Sequence, residues 1–256
     1  MIFKKQVYIL LISFLCSEAN AETYYGTLRG EGFIQYKSPF NGIINLGSIQ
    51  LGSVYSNKTL FVIENHEHVS KMEILKLRIK SLKKKRNRLY ENLRHLKNAL
   101  SEGFISQNEF FEKNDEIENI DVNIKELTTE LEGIQNLTKL GVAYVSDNFI
   151  INDIAVNNHQ YVNSGDYIMQ VERLNAYYVD IKFDPVVIKG RLQDKNITFK
   201  SLVSKITGRG KVSKITNSQD RNSDVYGLQI ASIKIENNDC EMSSLLDTAF
   251  EITVYD

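Results

Sequence analysis

Apolar residues recur at steps of four and three along the middle of this 256-residue chain, in two runs separated by a short break. The average period of 3.5 residues keeps one side of an α-helix facing a partner along its whole length. Each run has one polar interruption, Arg86 in the first and Lys113 in the second. The apolar positions are Leu75, Ile79, Leu82, Leu89, Leu93, Leu96 and Leu100, then Phe110, Ile117, Ile120, Ile124, Leu127, Leu131 and Ile134.

The break between the two runs is short and contains Glu102, Gly103, Phe104 and Ile105. Two long helices joined by so few residues fold back on each other, so the pattern predicts an antiparallel helical hairpin. At 1.5 Å per residue, arms of about 33 residues give a rod of roughly 50 Å. A compact core does not need a rod of that length, which indicates a device for reaching a partner.

Charge is segregated between the two predicted helices. Residues 66–101 contain three acids and eleven bases, whereas residues 106–137 contain two bases and nine acids. Opposite charges on facing helices favour the hairpin over pairing of like helices, because each helix would repel a copy of itself. The bases are Lys71, Lys76, Arg78, Lys80, Lys83, Lys84, Lys85, Arg86, Arg88, Arg94 and Lys97; the acids are Glu109, Glu112, Asp115, Glu116, Glu118, Asp121, Glu126, Glu130 and Glu132.

The basic run at residues 83–86 has two interpretations. A cluster of this kind can bind nucleic acid or anionic lipid. It can also be a solvated helix face that the acidic neighbour neutralises. We favour the second interpretation and expect no nucleic-acid partner.

The first 21 residues are typical of an export signal. Lys4 and Lys5 precede a short apolar run at residues 7–15, and Ala19 and Ala21 supply small residues where a signal peptidase cleaves. The run is shorter than the roughly 20 residues that span a bilayer, which favours cleavage over an uncleaved anchor. Cys16 follows Leu15, which is not the small residue that a lipidation site requires.

The chain lacks the residue patterns of common catalytic and metal sites. His66 and His68 are two residues apart, so on a helix their side chains point about 200° apart and do not face one metal ion. After signal cleavage Cys240 is the only cysteine. It is either a small buried residue or a free reactive thiol, and it has no internal disulfide partner. We therefore expect no enzyme activity, no cofactor and no metal.

Short alternating apolar runs flank the hairpin on both sides, interrupted by Asn-Gly and Gly-Ser pairs typical of strand connections. Two stretches are similar. Residues 51–54 precede a strand before the hairpin, and residues 162–166 precede a strand after it. The turn glycines in these stretches supply backbone angles with positive φ, which other residues resist. Further strands are predicted at 178–183, 210–215, 225–235 and 250–254, with a short helix at 185–192.

The order of half-motif, helical hairpin and half-motif resembles the periplasmic adaptor proteins, also called membrane fusion proteins of the HlyD type. The first half-motif of that family resembles P-x-x-G-x-I followed by G-x-x-V, and the second resembles V-x-x-G-x-x-L/I. Here Gly52 stands two residues before Val54, where the family has three. The matching positions are Pro39, Gly42, Ile44, Gly52 and Val54 in the first half, and Val162, Gly165 and Ile168 in the second.

The resemblance implies a mixed α and β fold. A lipoyl-like barrel-sandwich would be interrupted by the coiled-coil hairpin and followed by a small β-barrel. The expected segments are a signal peptide at 1–21, sandwich halves at 22–65 and 139–175, the hairpin at 66–138 with its tip at 102–106, and the barrel at 176–256. The lysine that lipoyl- and biotinyl-like carrier domains modify has no counterpart here, which indicates a scaffold.

The resemblance also directs attention to the hairpin tip. Many adaptors carry Arg-x3-Leu-x6-Ser there, and Ser106 matches the final serine. His95 and Ala99 occupy the Arg and Leu positions, while Arg94 and Leu100 lie one residue away. The candidate partner-binding residues are Leu100, Gly103, Phe104, Ile105, Ser106 and Phe110. The alternative is that Phe104 and Ile105 only cap the hairpin.

The resemblance implies a periplasmic adaptor that links an inner-membrane transporter of the ABC or RND type to an outer-membrane duct. It would assemble as a homo-oligomeric ring and associate with the inner membrane through its transporter. The alternative from another functional class is an extracytoplasmic chaperone-like or scaffold protein that grips clients with its hairpin tip.

Overall fold

The computed structural model describes residues 21–188, 190–217, 227–236 and 240–255. The predicted signal peptide lies outside the described residues apart from Ala21, and so does the side chain of Cys240. The chain divides into two compact units. One contains the described residues of 1–34, 147–150 and 171–256, and the other contains 35–146 and 151–170.

Two long α-helices and fourteen strands make up the described fold. The helices are α1 (His66–Ser101) and α2 (Gln107–Leu140). The strands before α1 are β1 (Glu22–Arg29), β2 (Gly32–Lys37), β3 (Gly42–Leu46), β4 (Val54–Tyr55) and β5 (Lys58–Glu64). The strands after α2 are β6 (Val142–Val145), β7 (Phe149–Ile154), β8 (Tyr161–Val162), β9 (Tyr167–Arg173), β10 (Tyr178–Phe183), β11 (Asn196–Ser201), β12 (Thr207–Asn217), β13 (Gln229–Ile235) and β14 (Ala249–Tyr255).

The first unit is built on a closed six-stranded barrel with the strand order β1-β10-β13-β12-β11-β14. Alternate residues of each strand point inward, and the interior is filled by branched and aromatic side chains. Leu28, Val179, Ile181, Phe250 and Ile252 are all fully buried there.

The barrel contains strand β1, and this corrects one predicted boundary. Residues 22–65 were expected to form the first half of the sandwich, but β1 pairs with β14 from Glu22↔Val254 to Thr27↔Ala249. It also pairs with β10 at Leu28↔Val179. No strand was predicted at residues 22–29, and an alternating pattern would carry no information about a partner in a distant part of the chain.

Two smaller expectations for the barrel region also change. The described part of 185–192 contains a turn instead of a short α-helix, and a 3₁₀ helix follows at Leu192–Asp194. Strand β11 was not predicted, although Ile197 and Phe199 alternate inward like the residues of the predicted strands.

The second unit contains the hairpin and most of two four-stranded sheets, ordered β2-β9-β7-β4 and β6-β5-β3-β8. Each sheet combines strands that precede the hairpin with strands that follow it. The edge of the Tyr36 ring on β2 meets the Phe61 ring on β5 at a centroid distance of 5.8 Å, so the two sheets share a core. The predicted positive φ is confirmed at Gly52 (+73°) and Gly165 (+89°).

One polar network joins three neighbouring barrel strands. Arg29 on β1 donates two hydrogen bonds to Asp180 on β10, with Nε–Oδ2 at 2.7 Å and Nη2–Oδ1 at 2.9 Å. Ser232 on β13 donates to the same carboxylate at 2.6 Å. Burial raises the pKa of Asp180, but the hydrogen bonds from Arg29 and Ser232 outweigh it and hold the pKa below its usual range.

This depressed pKa predicts a pH dependence for the barrel. The Asp180 carboxylate contributes stability above the pKa of an unfolded aspartate, about 4, and that contribution is lost as the pH falls through the folded value. Asp180→Asn should lower the free energy of unfolding at pH 7 by on the order of 1 kcal/mol, as expected for a half-exposed pair. The deficit should shrink toward pH 2.

Urea unfolding of the full chain at pH 7, 4 and 2.5 measures this. Asp194→Asn is the matched control, because Asp194 is exposed on the 3₁₀ helix of the same unit. A deficit for Asp180→Asn that stays constant with pH would contradict the assignment.

Candidate functional site: the helical hairpin and its tip

The hairpin rises from adjacent strands of one sheet. Strand β5 leads into α1 and α2 leads into β6, and the two strands pair antiparallel. The Ile63 N–H donates to the Gly141 carbonyl at 2.8 Å, which closes the root. A side chain at Gly141 would collide with the Phe40 ring, so only glycine lets the chain pass here.

The start of α1 is fixed by Asn65. Its side-chain oxygen accepts a hydrogen bond from the His68 N–H at 3.0 Å, and its amide nitrogen donates to the Asn41 carbonyl at 2.6 Å. The first contact satisfies one of the helix's orphan donors, and the second ties the helix to the sheet. The His68 ring packs against Phe40 with centroids 5.0 Å apart.

The predicted heptad seam is confirmed by burial. Its buried members are Leu75 and Ile79 on α1 and Ile117, Ile120 and Ile124 on α2. Leu82, Leu89, Leu127 and Leu131 pack against this core and are partly buried.

Both polar interruptions of the seam are paired. Arg86 donates from Nη1 to Asp121 Oδ1 at 2.9 Å, and Tyr90 donates to the other oxygen of Asp121 at 3.4 Å. Lys113 reaches Glu116 on its own helix at 3.3 Å. A charged pair at one seam position specifies a register, because a shifted pairing would leave both charges against apolar neighbours.

Ion pairs also link the flanks of the two helices, as the charge segregation predicted. Lys71 pairs with Glu130 at 2.8 Å and Lys85 with Glu116 at 3.0 Å. Hydrogen bonds from Lys85 and Lys113 hold the pKa of Glu116 below its usual range. These exposed pairs bias the pairing more than they stabilise it.

The turn at the tip begins with a helix-ending motif at Gly103. The Phe104 N–H donates to the Ala99 carbonyl at 2.9 Å and the Gly103 N–H donates to the Leu100 carbonyl at 3.1 Å. These two bonds form a Schellman motif, which requires a left-handed residue after the helix. Gly103 supplies it with a φ of +78°.

The second helix starts directly afterwards at Ser106. Its hydroxyl accepts a hydrogen bond from the Glu109 N–H at 3.2 Å, so Ser106 is the N-cap of α2. Ile105 and Phe110 stand at the two positions of a hydrophobic staple, and both are half-buried. The serine that the tip pattern singled out therefore has a structural role in starting α2.

Exposure separates the six predicted tip residues. Leu100, Ile105 and Phe110 are half-buried, and Gly103 and Ser106 shape the turn. Phe104 alone among the apolar ones presents 77% of its surface to solvent. The residue after the left-handed glycine of a Schellman motif often packs back on the helix. Phe104 holds this place but is exposed, so its ring makes no such packing contact.

Sequence reasoning missed one residue of this apolar tip. Phe111 is 51% exposed, and its ring meets that of Phe110 edge-on with centroids 6.2 Å apart. The sequence feature that could have identified Phe111 was its position next to Phe110 and outside the heptad seam. An exposed aromatic residue off the seam of a coiled coil does not serve the pairing of its own helices.

In the part of the chain that the structure describes, no three histidine, cysteine or acidic side chains gather as a metal ion would require. No described helix combines the length and the apolar character that a membrane span needs.

Comparison with known proteins gave matches in structure only. No protein-family model and no curated protein matches the sequence. The membrane fusion protein Spr0693 from Streptococcus pneumoniae superposes with a TM-score of 0.71 at 10% identity, over 91% of this chain and 98% of that one. MacA from Actinobacillus actinomycetemcomitans gives 0.69 at 15% identity, over 93% of this chain and 78% of that one.

The chain has the fold of a membrane fusion protein. A putative efflux transporter from Bacteroides eggerthii shares the fold with a TM-score of 0.60 at 14% identity, over 92% of this chain and 69% of that one. These three similarities each cover more than nine-tenths of this chain.

The backbone conformations of two glycines in the hairpin predict opposite effects on stability when each is replaced by alanine. Gly103→Ala should destabilise the hairpin by about 1 kcal/mol or more, because alanine resists positive φ. Gly133→Ala, in the middle of α2, should stabilise it by about 0.5–1 kcal/mol, because a Cβ there meets open space.

Urea unfolding followed by helical circular dichroism measures both variants against the parent chain. Equal effects of the two substitutions would contradict the assigned turn.

Proposed function

We propose that this protein is an adaptor subunit that links an inner-membrane transporter, of the ABC or RND type, to an outer-membrane duct for export across the envelope. The exposed Phe104 at the end of a long, register-fixed hairpin carries the proposal. It is supported by the fold shared with proteins described as membrane fusion proteins. The mechanism is mechanical, with no bond made or broken.

The two sheets have the place that a lipoyl-like barrel-sandwich would have in such an adaptor. Their strands come from both sides of the hairpin. This domain would act as the base that aims the rod, and the barrel would face the transporter. The N-terminal pattern supports export by a cleaved signal, and the mature chain would then act in the periplasm.

The tip supports a docking role on physical grounds. A protein–protein contact gains most from aromatic side chains that become buried on binding. Phe104 and Phe111 offer such surface, while the Gly103 and Ser106 motifs hold the turn without using either ring. The tip is therefore ordered before a partner arrives, which reduces the entropy lost on binding.

Photocrosslinking in living cells of the source organism tests the proposal. A photoreactive phenylalanine at position 104 should capture one discrete outer-membrane protein, identified by mass. The matched control is the same probe at Leu51, which is 63% exposed on a turn between β3 and β4. It should not capture that protein.

Two other results would overturn the adaptor function. Capture of assorted soluble clients by the probe at 104 would favour the chaperone-like holder instead. If the protein carrying the probe is expressed and folded but captures nothing, the proposed contact with the duct is wrong. Fractionation separates these cases further, because an adaptor is expected with the membranes and a holder in the soluble fraction.

The apolar tip also predicts a split between function and folding. Phe104→Ser should abolish export by the intact system while leaving the free energy of unfolding within about 0.5 kcal/mol of the parent, as expected for an exposed side chain. Export is measured as resistance or secretion once the cargo is known, and until then as loss of the crosslink partner in a pull-down.

A further inference from the structure

The basic run at residues 83–86 of α1 is divided by the structure into two halves. Lys85 and Arg86 pair with acids of α2, at 3.0 Å and 2.9 Å. Lys83 and Lys84 form no ion pair with any described residue, although α2 carries nine acids. The acidic helix therefore neutralises only half of this run.

The two unpaired lysines line a groove along one side of the hairpin. The groove has a volume of about 420 Å³, which falls within the roughly 300–1,000 Å³ of small-molecule sites. From Lys76 to Asn87 it follows three turns of α1, roughly 16 Å of helix. We call it the lysine groove, and its lining residues are Lys76, Ile79, Lys80, Lys83, Lys84, Asn87 and Leu131.

The rim of the lysine groove carries four positive charges. Lys76, Lys80, Lys83 and Lys84 are all exposed, and in the described part of the chain none of them has an ion-pair partner. They follow each other at steps of three and four residues, so their ammonium groups repel each other on one helix face. The nearest acid along α1 is Glu73, and no ion pair joins it to any of the four. An anion bound in the groove would relieve this repulsion.

The floor of the lysine groove is apolar. Ile79 belongs to the buried seam, and Leu131 of α2 packs against that seam while remaining half-buried. The stem of each lysine side chain is a run of methylene groups, so the walls add apolar surface below their charged ends. The groove therefore combines an apolar strip with a cationic rim.

This combination distinguishes between classes of anionic ligand. A polyanion such as nucleic acid binds through its phosphates to a broad charged surface and gains little from an apolar floor. A small inorganic anion would leave the floor uncovered. A molecule with one anionic head group and one alkyl chain matches both parts of the groove, and a length of roughly 16 Å accommodates an extended chain of about ten to twelve carbons.

We propose that the lysine groove binds a single-chain anionic amphiphile of the fatty-acid class. The carboxylate would contact the ammonium groups of Lys80 and Lys83, and the alkyl chain would cover Ile79 and Leu131. This inference goes beyond the adaptor function and is independent of it, because binding to the purified chain requires no protein partner.

The lysine groove is separate from the hairpin tip. Asn87 is its end nearest the tip and lies fourteen residues before Ser101, the last residue of α1, which is roughly 21 Å of helix. A ligand in the groove would leave Phe104 exposed. It would lower the positive charge on one side of α1 without altering the end of the rod.

Fluorescence of a dansyl-labelled undecanoic acid measures binding to the full mature chain. The probe should bind saturably, and its emission should rise and shift to shorter wavelength as the dansyl group leaves water. Lys80→Gln combined with Lys83→Gln should raise the Kd of the probe about tenfold, because two charge-assisted contacts to its carboxylate are lost.

The matched control is Arg94→Gln combined with Lys97→Gln. It removes the same charge from exposed positions of α1 outside the groove. The Kd should stay within about twofold of the parent, because charges more than a Debye length away are largely screened. Circular dichroism checks that both double variants keep the helical content of the parent.

Competition with unlabelled amphiphiles separates the contribution of the head group from that of the chain. Octanoate, decanoate and laurate should displace the probe with an affinity that rises several-fold at each step, because each buried methylene group adds to binding. Dodecyltrimethylammonium has a chain of the same length as laurate and the opposite charge. It should displace the probe about tenfold less well than laurate.

Four results would overturn the proposal. The first two are a parent that gives no saturable binding and a variant without Lys80 and Lys83 that binds like the parent. The third is equal displacement by dodecyltrimethylammonium and laurate, which would leave the lysines without a role. The fourth is better displacement by a heparin fragment than by laurate, which would make the groove a surface for polyanions. Each is measured on the purified chain and leaves the crosslink at position 104 as a separate test of the adaptor function.

Discussion

The hairpin depends on the pairing of two strands at its root. Strands β5 and β6 are neighbours in one sheet, and each continues into one helix. The bond from the Ile63 N–H to the Gly141 carbonyl holds the chain ends of the rod at the spacing of paired strands. Gly141 has no side chain because the Phe40 ring occupies that space. From this base the seam and the Arg86–Asp121 pair carry the register outward to the tip.

The hairpin was predictable from sequence because its information is local. A 3.5-residue period shows which side of each helix is buried, and the short break shows that the helices are antiparallel. The partner of Arg86 was not predictable, since it depends on the register between two helices. The barrel was harder still. Strand β1, which was not predicted, has its partner in β14, and alternation of apolar residues carries no information about which strand is the neighbour.

The tip shows the same limit at a finer scale. The sequence pattern drew attention to residues 100–110, with Gly103 in the break between the helices and Ser106 as the serine of the tip pattern. Which of these residues cap the helices and which stay exposed could not be predicted, because that depends on which apolar side chains the turn leaves in solvent. Ile105 and Phe110 stand at staple positions, while Phe104 and Phe111 remain exposed. Ser106, which matches the sequence pattern, is therefore the cap, and Phe104 is the apolar side chain that the turn leaves exposed.

The pairing of β1 with β14 has a consequence for how the chain reaches its folded state. Glu22 lies opposite Val254, so the barrel cannot close until strand β14 has been synthesised. Both sheets likewise wait for strands that follow the hairpin. Contacts of such long sequence separation form slowly. A nascent chain thus has the helical hairpin and the β3–β5 pair available as early structure, and the barrel closes after them.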